Sequence, residues 1–390
     1  MNKKYLTFFA LLLSASMLWS THNTLALEGV TQPNTEAASA NTAEPSASPE
    51  DNSTLNLSIE EALKLIETGN SSLKLTDSKL LILDKQNQQA LARHKASKAV
   101  TDEDSKKERD LNHKRSQWIL ENAKHDRENQ LKALKVQITN EYQSILTFQQ
   151  QAENLKAQLA NLNTIIDQVN LQIELGLKIP ADLYSYTAQK SRLEAAQKAN
   201  LNSINNSMIT LKNDLGINIS RNVVLTSDLM GYIKFDDSDI DGKIAKAIEN
   251  HYDIPKYTQD IEITQIEYDI DFHYSNPLAD QVQLSIEDKK ATLENLPVNL
   301  EVDFRKDYNT LKTLENTIEA DKLTVEADQI NIKVMEKNIE VGNSSSLELI
   351  ALQNTLLNDQ ITLQQDINAY MTAAKNFQNS LDNYSLEDTK

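Results

Sequence analysis

The chain contains no cysteine. That excludes disulfides, thiolate zinc sites and lipid attachment through an N-terminal Cys. Glycine and proline are scarce, seven of each in 390 residues, and aromatics make up only 5%. So few turn formers argue for few, long helices rather than a sandwich or a Gly-rich α/β fold. Basic residues are outnumbered, 39 Lys and Arg against 57 Asp and Glu, for a formal net charge of -18. Phosphate binding draws on clustered cations, so nucleic acid is not an expected partner. Beyond the first residues, no run is long or apolar enough to cross a bilayer as a helix.

There is also little to suggest catalysis. The six histidines, His22, His94, His113, His125, His251 and His273, contain no pair at helical ligand spacing. A Gly-rich phosphate loop and a nucleophile elbow are both missing. No catalytic residue and no cofactor is expected. One metal candidate remains: Asp237, Asp239 and Asp241 with Gly242 match the first positions of a calcium loop, but position twelve is Ile248 instead of Glu. The plainer account of these acids is an N-cap for the helix that begins there.

What the sequence does contain is periodicity. From about Lys106 to Gly176 nothing forces the backbone out of a helix. A seam of Leu131, Leu134, Ile138, Ile145, Phe148, Ala152, Leu155, Leu159, Leu162, Ile166, Val169 and Ile173 recurs every 3.5 residues on average, broken only by Glu141. Such a seam predicts a coiled-coil rod of roughly 105 Å. A second, uncharged stripe on the opposite side includes Val136, Gln143, Thr147, Asn154, Asn161 and Leu171. It points to a second neighbour, the rival being a two-stranded coiled coil with a polar back.

In chain order, Lys3 and Lys4, an apolar stretch from Tyr5 to Trp19 and Thr24-Leu25-Ala26 read as a signal peptide over 1–26. Residues 27–54, with Pro33, Pro45 and Pro49, read as a disordered linker. A first helical repeat is predicted over 55–220. It opens on a capping box at Ser58 and Glu61, breaks at Gly69-Asn70 and turns sharply at Gly176 to Pro180. A loop over 221–240, extended in part, leads to a second repeat over 241–384 and a tail over 385–390. Ile244 to Glu249 echoes Ala62 to Glu67, and Leu311, Leu314, Ile318, Val325, Ile332, Met335 and Ile339 before Gly342 echo the first rod. Asp321 and Asp328 interrupt this second seam, and Leu323, Ala327, Ile330, Val334 and Val341 form a stripe on its other face. The segment from Ser275 to Phe304 alternates like a strand in places, but it feeds straight into the rod and reads as helix, with Pro297 at a start or kink. The fold class is therefore all-α: elongated antiparallel coiled-coil hairpins in two tandem repeats, with little or no β.

This order, given twice, resembles the TolC outer-membrane efflux family over about Leu57 to Asn383. The most specific residues are Gly176 followed by Asp182-Leu183, Gly342 followed by Glu348-Leu349 at the same spacing, and the opening Leu57-Ser58-Ile59-Glu60-Glu61-Ala62. The resemblance implies a homotrimer whose three copies build a twelve-helix tunnel. It also implies hairpin tips that dock a periplasmic adaptor (membrane fusion) protein joined to an inner-membrane transporter. By that similarity Gly176, Leu177, Gly342 and Asn343 are the docking tips, and Asp182 and Glu348 are acidic residues at the entrance. Helix N-terminal charge explains the two acids equally well. The sequence departs from the family where membrane strands belong: His94 to Lys98 and the charged run after them suit no lipid-facing strand. Ser344 to Ser346 replace the basic residue near the second tip. The expectation is an exported, cell-envelope conduit component lacking the membrane β-barrel. The alternative is a secreted coiled-coil spacer or docking protein with no open channel.

Overall fold

The computed structural model describes residues 53–96, 99–344 and 346–383, with the side chains of 346 and 347 left aside. The expected signal peptide, nearly all of the linker and the tail lie outside the described residues. The chain divides into 1–50 and 51–390, and every helix and strand named below belongs to the second unit.

Each repeat is built on one plan. In the first, β1 (Leu55–Leu57) leads into α1 (Ile59–Gly69), α2 (Ser71–Ala96), α3 (Glu103–Asp110), α4 (Asn112–Glu174) and, after a 3-10 turn, α5 (Leu183–Asp214). β2 (Val223–Leu225) begins the connection to α6 (Ile240–Glu249), α7 (Asp253–His273), α8 (Ala279–Glu340) and α9 (Ser346–Leu381). α4, with 63 residues, and α8, with 62, span about 95 Å each. Along α4, α2 packs beside the N-terminal half and α5 beside the C-terminal half; α7 and α9 do the same for α8. α1 wedges in at the joint between α2 and α5, as the Ser58–Glu61 capping box starts it where the sequence indicates.

The first core gathers at that joint: Ala62, Ile66, Leu73, Ile138, Tyr142, Ile145, Leu211 and Leu215 are all buried. Tyr142 ties it together. Its hydroxyl donates to the Leu57 carbonyl (2.7 Å) and accepts from the N–H groups of Thr226 (3.0 Å) and Ser227 (2.9 Å). This bond set fixes β1 against β2, a parallel pair with Leu55 opposite Val223 and Leu57 opposite Leu225. The second core sits at the matching joint, around Ile244, Ala247, Phe304, Leu311, Ile318, Tyr370 and Phe377.

One sequence expectation needs correction. The first rod does not begin at Lys106: α3 ends at Asp110, and Leu111 (φ -112°, ψ -54°) stands between it and α4. Leu111 is buried beside Ile263 and Ile270 of α7, and no Gly or Pro marks this offset in the sequence. The reading of 275–304 as helix feeding the rod holds from Ala279 onward: its strand-like alternation lies inside α8, and Pro297 falls in the helix interior rather than at its start. The missing N–H at Pro297 costs one bond to the carbonyl four residues back, and the other turns carry the helix through.

Glu141, the one break in the α4 seam, faces Asp214 at the end of α5. Gln137 Nε2 bridges them, donating to Glu141 Oε1 (2.9 Å) and Asp214 Oδ2 (2.7 Å), while Glu141 Oε2 is buried with no donor among the described residues. Burial, and then the Asp214 charge, push Glu141 up to about 7. An acid whose folded-state pKa is raised takes up a proton on folding, so its contribution is most favourable in acid and is lost as pH rises towards 7. Glu141→Gln is therefore expected to gain about 1–2 kcal/mol over wild type at pH 8 and little at pH 5, read from denaturant unfolding at the two pH values. An equal difference at both would contradict this assignment.

Candidate functional site

The tips are two copies of one device. At the end of α4, the Gly176 N–H bonds the Ile173 carbonyl (2.9 Å) and the Leu177 N–H bonds Gln172 (2.8 Å). At the end of α8, the Gly342 N–H bonds Ile339 (3.0 Å) and the Asn343 N–H bonds Asn338 (2.8 Å). Both are Schellman closures, which need a left-handed residue; Gly176 (φ 73°) and Gly342 (φ 78°) supply it without strain. Leu177 and Ile179 are left largely exposed beside the first of them.

Of the expected entrance acids, Asp182 accepts from the Ile179 N–H (3.3 Å) as the cap of the 3-10 turn before α5, and Glu348 lies in the first turn of α9. Both are exposed. The three candidate calcium ligands do not converge. Asp237 accepts from the Tyr308 hydroxyl (2.9 Å) and Lys312 (3.2 Å), Asp239 caps α6 through the Gly242 N–H, and Asp241 pairs with Arg305 (3.1 Å). Tyr308 and then Lys312 hold Asp237 below the usual carboxylate range. The acids are thus distributed among a cap and two contacts to α8. Among the described residues no three metal-capable side chains gather anywhere. His94 stacks on His113 (3.9 Å) and His125 on Tyr252 (3.3 Å).

The second stripe of α4 finds its neighbour in α9. Asn368 Nδ2 donates to Thr147 Oγ1 (2.9 Å), Asn154 Nδ2 to the Leu357 carbonyl (3.0 Å) and Gln158 Nε2 to Asn358 Oδ1 (3.0 Å). Further down, Ile350 packs on Leu162, Ile165 and Val169. As residue numbers rise along α4 they fall along α9, so both tips lie at the same end of the unit. A cavity of about 220 Å³, lined by Asn154, Gln158, Asn358 and Thr362 among others, lies within this polar seam. The uncharged stripe was visible in the sequence; its partner was not, because Asn154 and Leu357 are 203 residues apart.

The contacts put the helices of the tip-side half in the order α5, α4, α9, α8. The far half runs α2, α4, α7, α8, tied by Arg127–Asp77 (2.8 Å), Arg115–Glu267 (2.5 Å) and Lys289–Asp260 (2.9 Å). Among the described residues the outer face of α8 has no counterpart to what α9 is for α4: Leu323, Ile330, Val334 and Val341 are 52–69% exposed. At the other edge Tyr184, Leu201 and Ile209 of α5, and Leu75, Leu81 and Ile82 of α2, are exposed as well.

A wall of long helices in two hairpin repeats, with both Gly-closed tips at one end, is the TolC-like fold. Solved structures of outer-membrane channels share it. The Campylobacter jejuni CmeC outer membrane channel aligns with a TM-score of 0.64 at 11% identity, over 90% of this chain and 95% of that one. The outer membrane protein VceC of Vibrio cholerae aligns at 0.61 and 12%, over 83% and 94%. The open state of the Neisseria gonorrhoeae MtrE outer membrane channel aligns at 0.56 and 8%, over 91% and 97%. No protein-family model and no curated protein sequence matches the chain. Among the described residues no helix is long and apolar enough to cross a membrane.

Proposed function

We propose that this chain is an exported component of an efflux or secretion conduit, in which three copies close side by side into a helical tunnel. The observation that carries the reading is the unequal treatment of two equivalent rods. α4 has partners on both faces, whereas α8, its counterpart in the second repeat, leaves the same kind of stripe bare. The two-repeat plan supplies the missing partner: α5 and α2 of a second copy stand to α8 as α9 and α7 stand to α4. A ring of copies joined that way has no free edge. The likeness to outer-membrane channels supports three copies.

In this reading the tips at Gly176, Leu177, Gly342 and Asn343 receive an adaptor protein, which links the tube to an inner-membrane transporter. Asp182 and Glu348 set an acidic entrance that favours cations and repels anions. Transport needs no covalent chemistry and no cofactor from this chain. Between α2 and α4, where the family carries membrane strands, stands the charged helix α3, and between α7 and the rod the chain passes directly into α8; in this reading the tube serves as an envelope passage without its own barrel. Light scattering and native mass measurement of the exported chain test the assembly, with a trimer expected at micromolar concentration. A monomer at high concentration would overturn the conduit and leave a coiled-coil spacer.

A further inference from the structure

Two acids of the second rod have no part in the wall or the tips. Asp321 and Asp328 stand one heptad apart on α8, in the seam that otherwise holds Ile318, Val325 and Ile332. On α9, Asp359 and Asp366 are also one heptad apart. The antiparallel hairpin therefore brings the pairs level, with the Asp366 carboxyl against Asp321 and that of Asp359 against Asp328. Oδ2 of Asp321 and Oδ2 of Asp328 are both shut off from solvent with no hydrogen-bond donor among the described residues.

Among the described residues no cation closes either pair. Asp321 is the charged group acting on Asp366, and Asp328 and Asp321 are those acting on Asp359. Lys322, next along α8, lies over the Tyr232 ring at 4.1 Å. Glu315, nearer the joint, is taken by Lys234 and Lys312 (2.6 Å each). From its other flank α4 offers this stretch of α9 Gln151, Asn154, Leu155 and Gln158, none of them charged.

Two carboxylates in contact away from counter-ions cannot both ionise without cost. One shared proton turns the repulsion into a charge-assisted O–H···O bond and supplies the donor that each buried Oδ2 lacks. We propose that the two carboxyl pairs are a proton-operated fastener on the α8–α9 hairpin, holding its helices together towards the tip while each pair keeps a proton and loosening that half when both are lost. Burial, and then Asp321, push Asp366 up to about 6; burial, and then Asp328, raise Asp359. Raised carboxyl pKa values place the fastened state in acid, and the loosened one follows as pH rises past the Asp366 value. The device belongs to the single hairpin and does not depend on assembly into a tube.

Amide hydrogen exchange of the exported chain at pH 5.5 and 8.0, corrected for intrinsic rates, tests it. Peptides from 321–341 and 348–366 are expected to lose roughly tenfold or more of their protection at the higher pH. Peptides from 194–208, on α5 in the first hairpin and away from α9, are expected to stay level. In Asp321→Asn/Asp328→Asn an amide donates to each facing carboxylate without a titrating proton, so the difference between the two pH values should vanish. Asp359→Asn/Asp366→Asn makes the same change from the other helix and guards against a local packing fault in the first variant. Equal wild-type protection at both pH values, or a pH dependence that survives in either helical, folded double variant, would overturn the proposal.

Discussion

Replacing Gly69 by alanine is expected to destabilise the folded unit by more than about 3 kcal/mol and to lower its melting temperature by about 5–10 °C. At this point the end of α1 and the end of α5 touch backbone to backbone. A Cβ on Gly69 would stand 1.9 Å from the Leu215 carbonyl oxygen, and one on Gly216 would stand 2.4 Å from the Gly69 oxygen. Neither neighbour is a side chain that can rotate away, so the two segments must separate. Their separation also undoes Asn70, whose Nδ2 donates to the Asp214 carbonyl (2.9 Å) while its Oδ1 accepts from the Leu73 N–H (3.0 Å). Ile66, Leu73, Leu211 and Leu215 around the contact are almost wholly buried, so the shift opens space in the first core. Gly231→Ala is the matched control: nothing lies within 4 Å of its would-be Cβ. Thermal unfolding followed by circular dichroism reads both variants, and a Gly69→Ala melt within about 1 °C of wild type would show that the joint yields.

In the sequence, Gly69-Asn70 reads as a helix break and nothing more, which marks how far a single chain of letters reaches. Local causes are legible: the Ser58 cap, the Gly176 and Gly342 closures and the two stripes on α4 each arise from residues within a few turns of one another. Two-neighbour packing of the first rod can be inferred from the lack of charge on its second stripe. Contacts between segments remote in sequence are not legible in the same way. Leu111 ends α3 because Ile263 and Ile270 of α7 receive it, and neither lies near it in the chain. Tyr142 sits beside the seam-breaking Glu141 and reads as one more aromatic, but it holds a strand from before α1 against one from after α5. Asp321 and Asp328 stand out as faults in a seam. Only the antiparallel register shows that each fault has another across from it, although the matching heptad between Asp359 and Asp366 is a signal that could have been read. The calcium-like spacing around Asp237 shows the converse. The spacing is right, but a helix starting at Ile240 turns its acids towards different partners.

Charging the bare stripe of α8 is the change expected to act most strongly on assembly while sparing the fold. Ile330 and Val334 are each 52% exposed in the single chain, one turn apart on the face away from α9. Ile330→Glu/Val334→Glu should leave helix content and melting temperature of the separated chain close to wild type, because substitutions at exposed positions cost little. If that face is covered by α5 of another copy, however, two carboxylates must be buried without partners in the contact. Each such unpaired charge costs several kcal/mol, enough together to weaken association more than about a thousandfold. The variant should then run as a monomer where wild type runs as a trimer. Asn154→Glu on α4 supplies the opposite case: its face is already filled by α9, and the charge would displace the bond to the Leu357 carbonyl within one chain. That variant should lose stability before it loses partners. A double variant on α8 that keeps the wild-type assembly mass would mean that the stripe is not the contact, and the closure of copies through α8 and α5 would have to be abandoned even if the chain proved trimeric by another face.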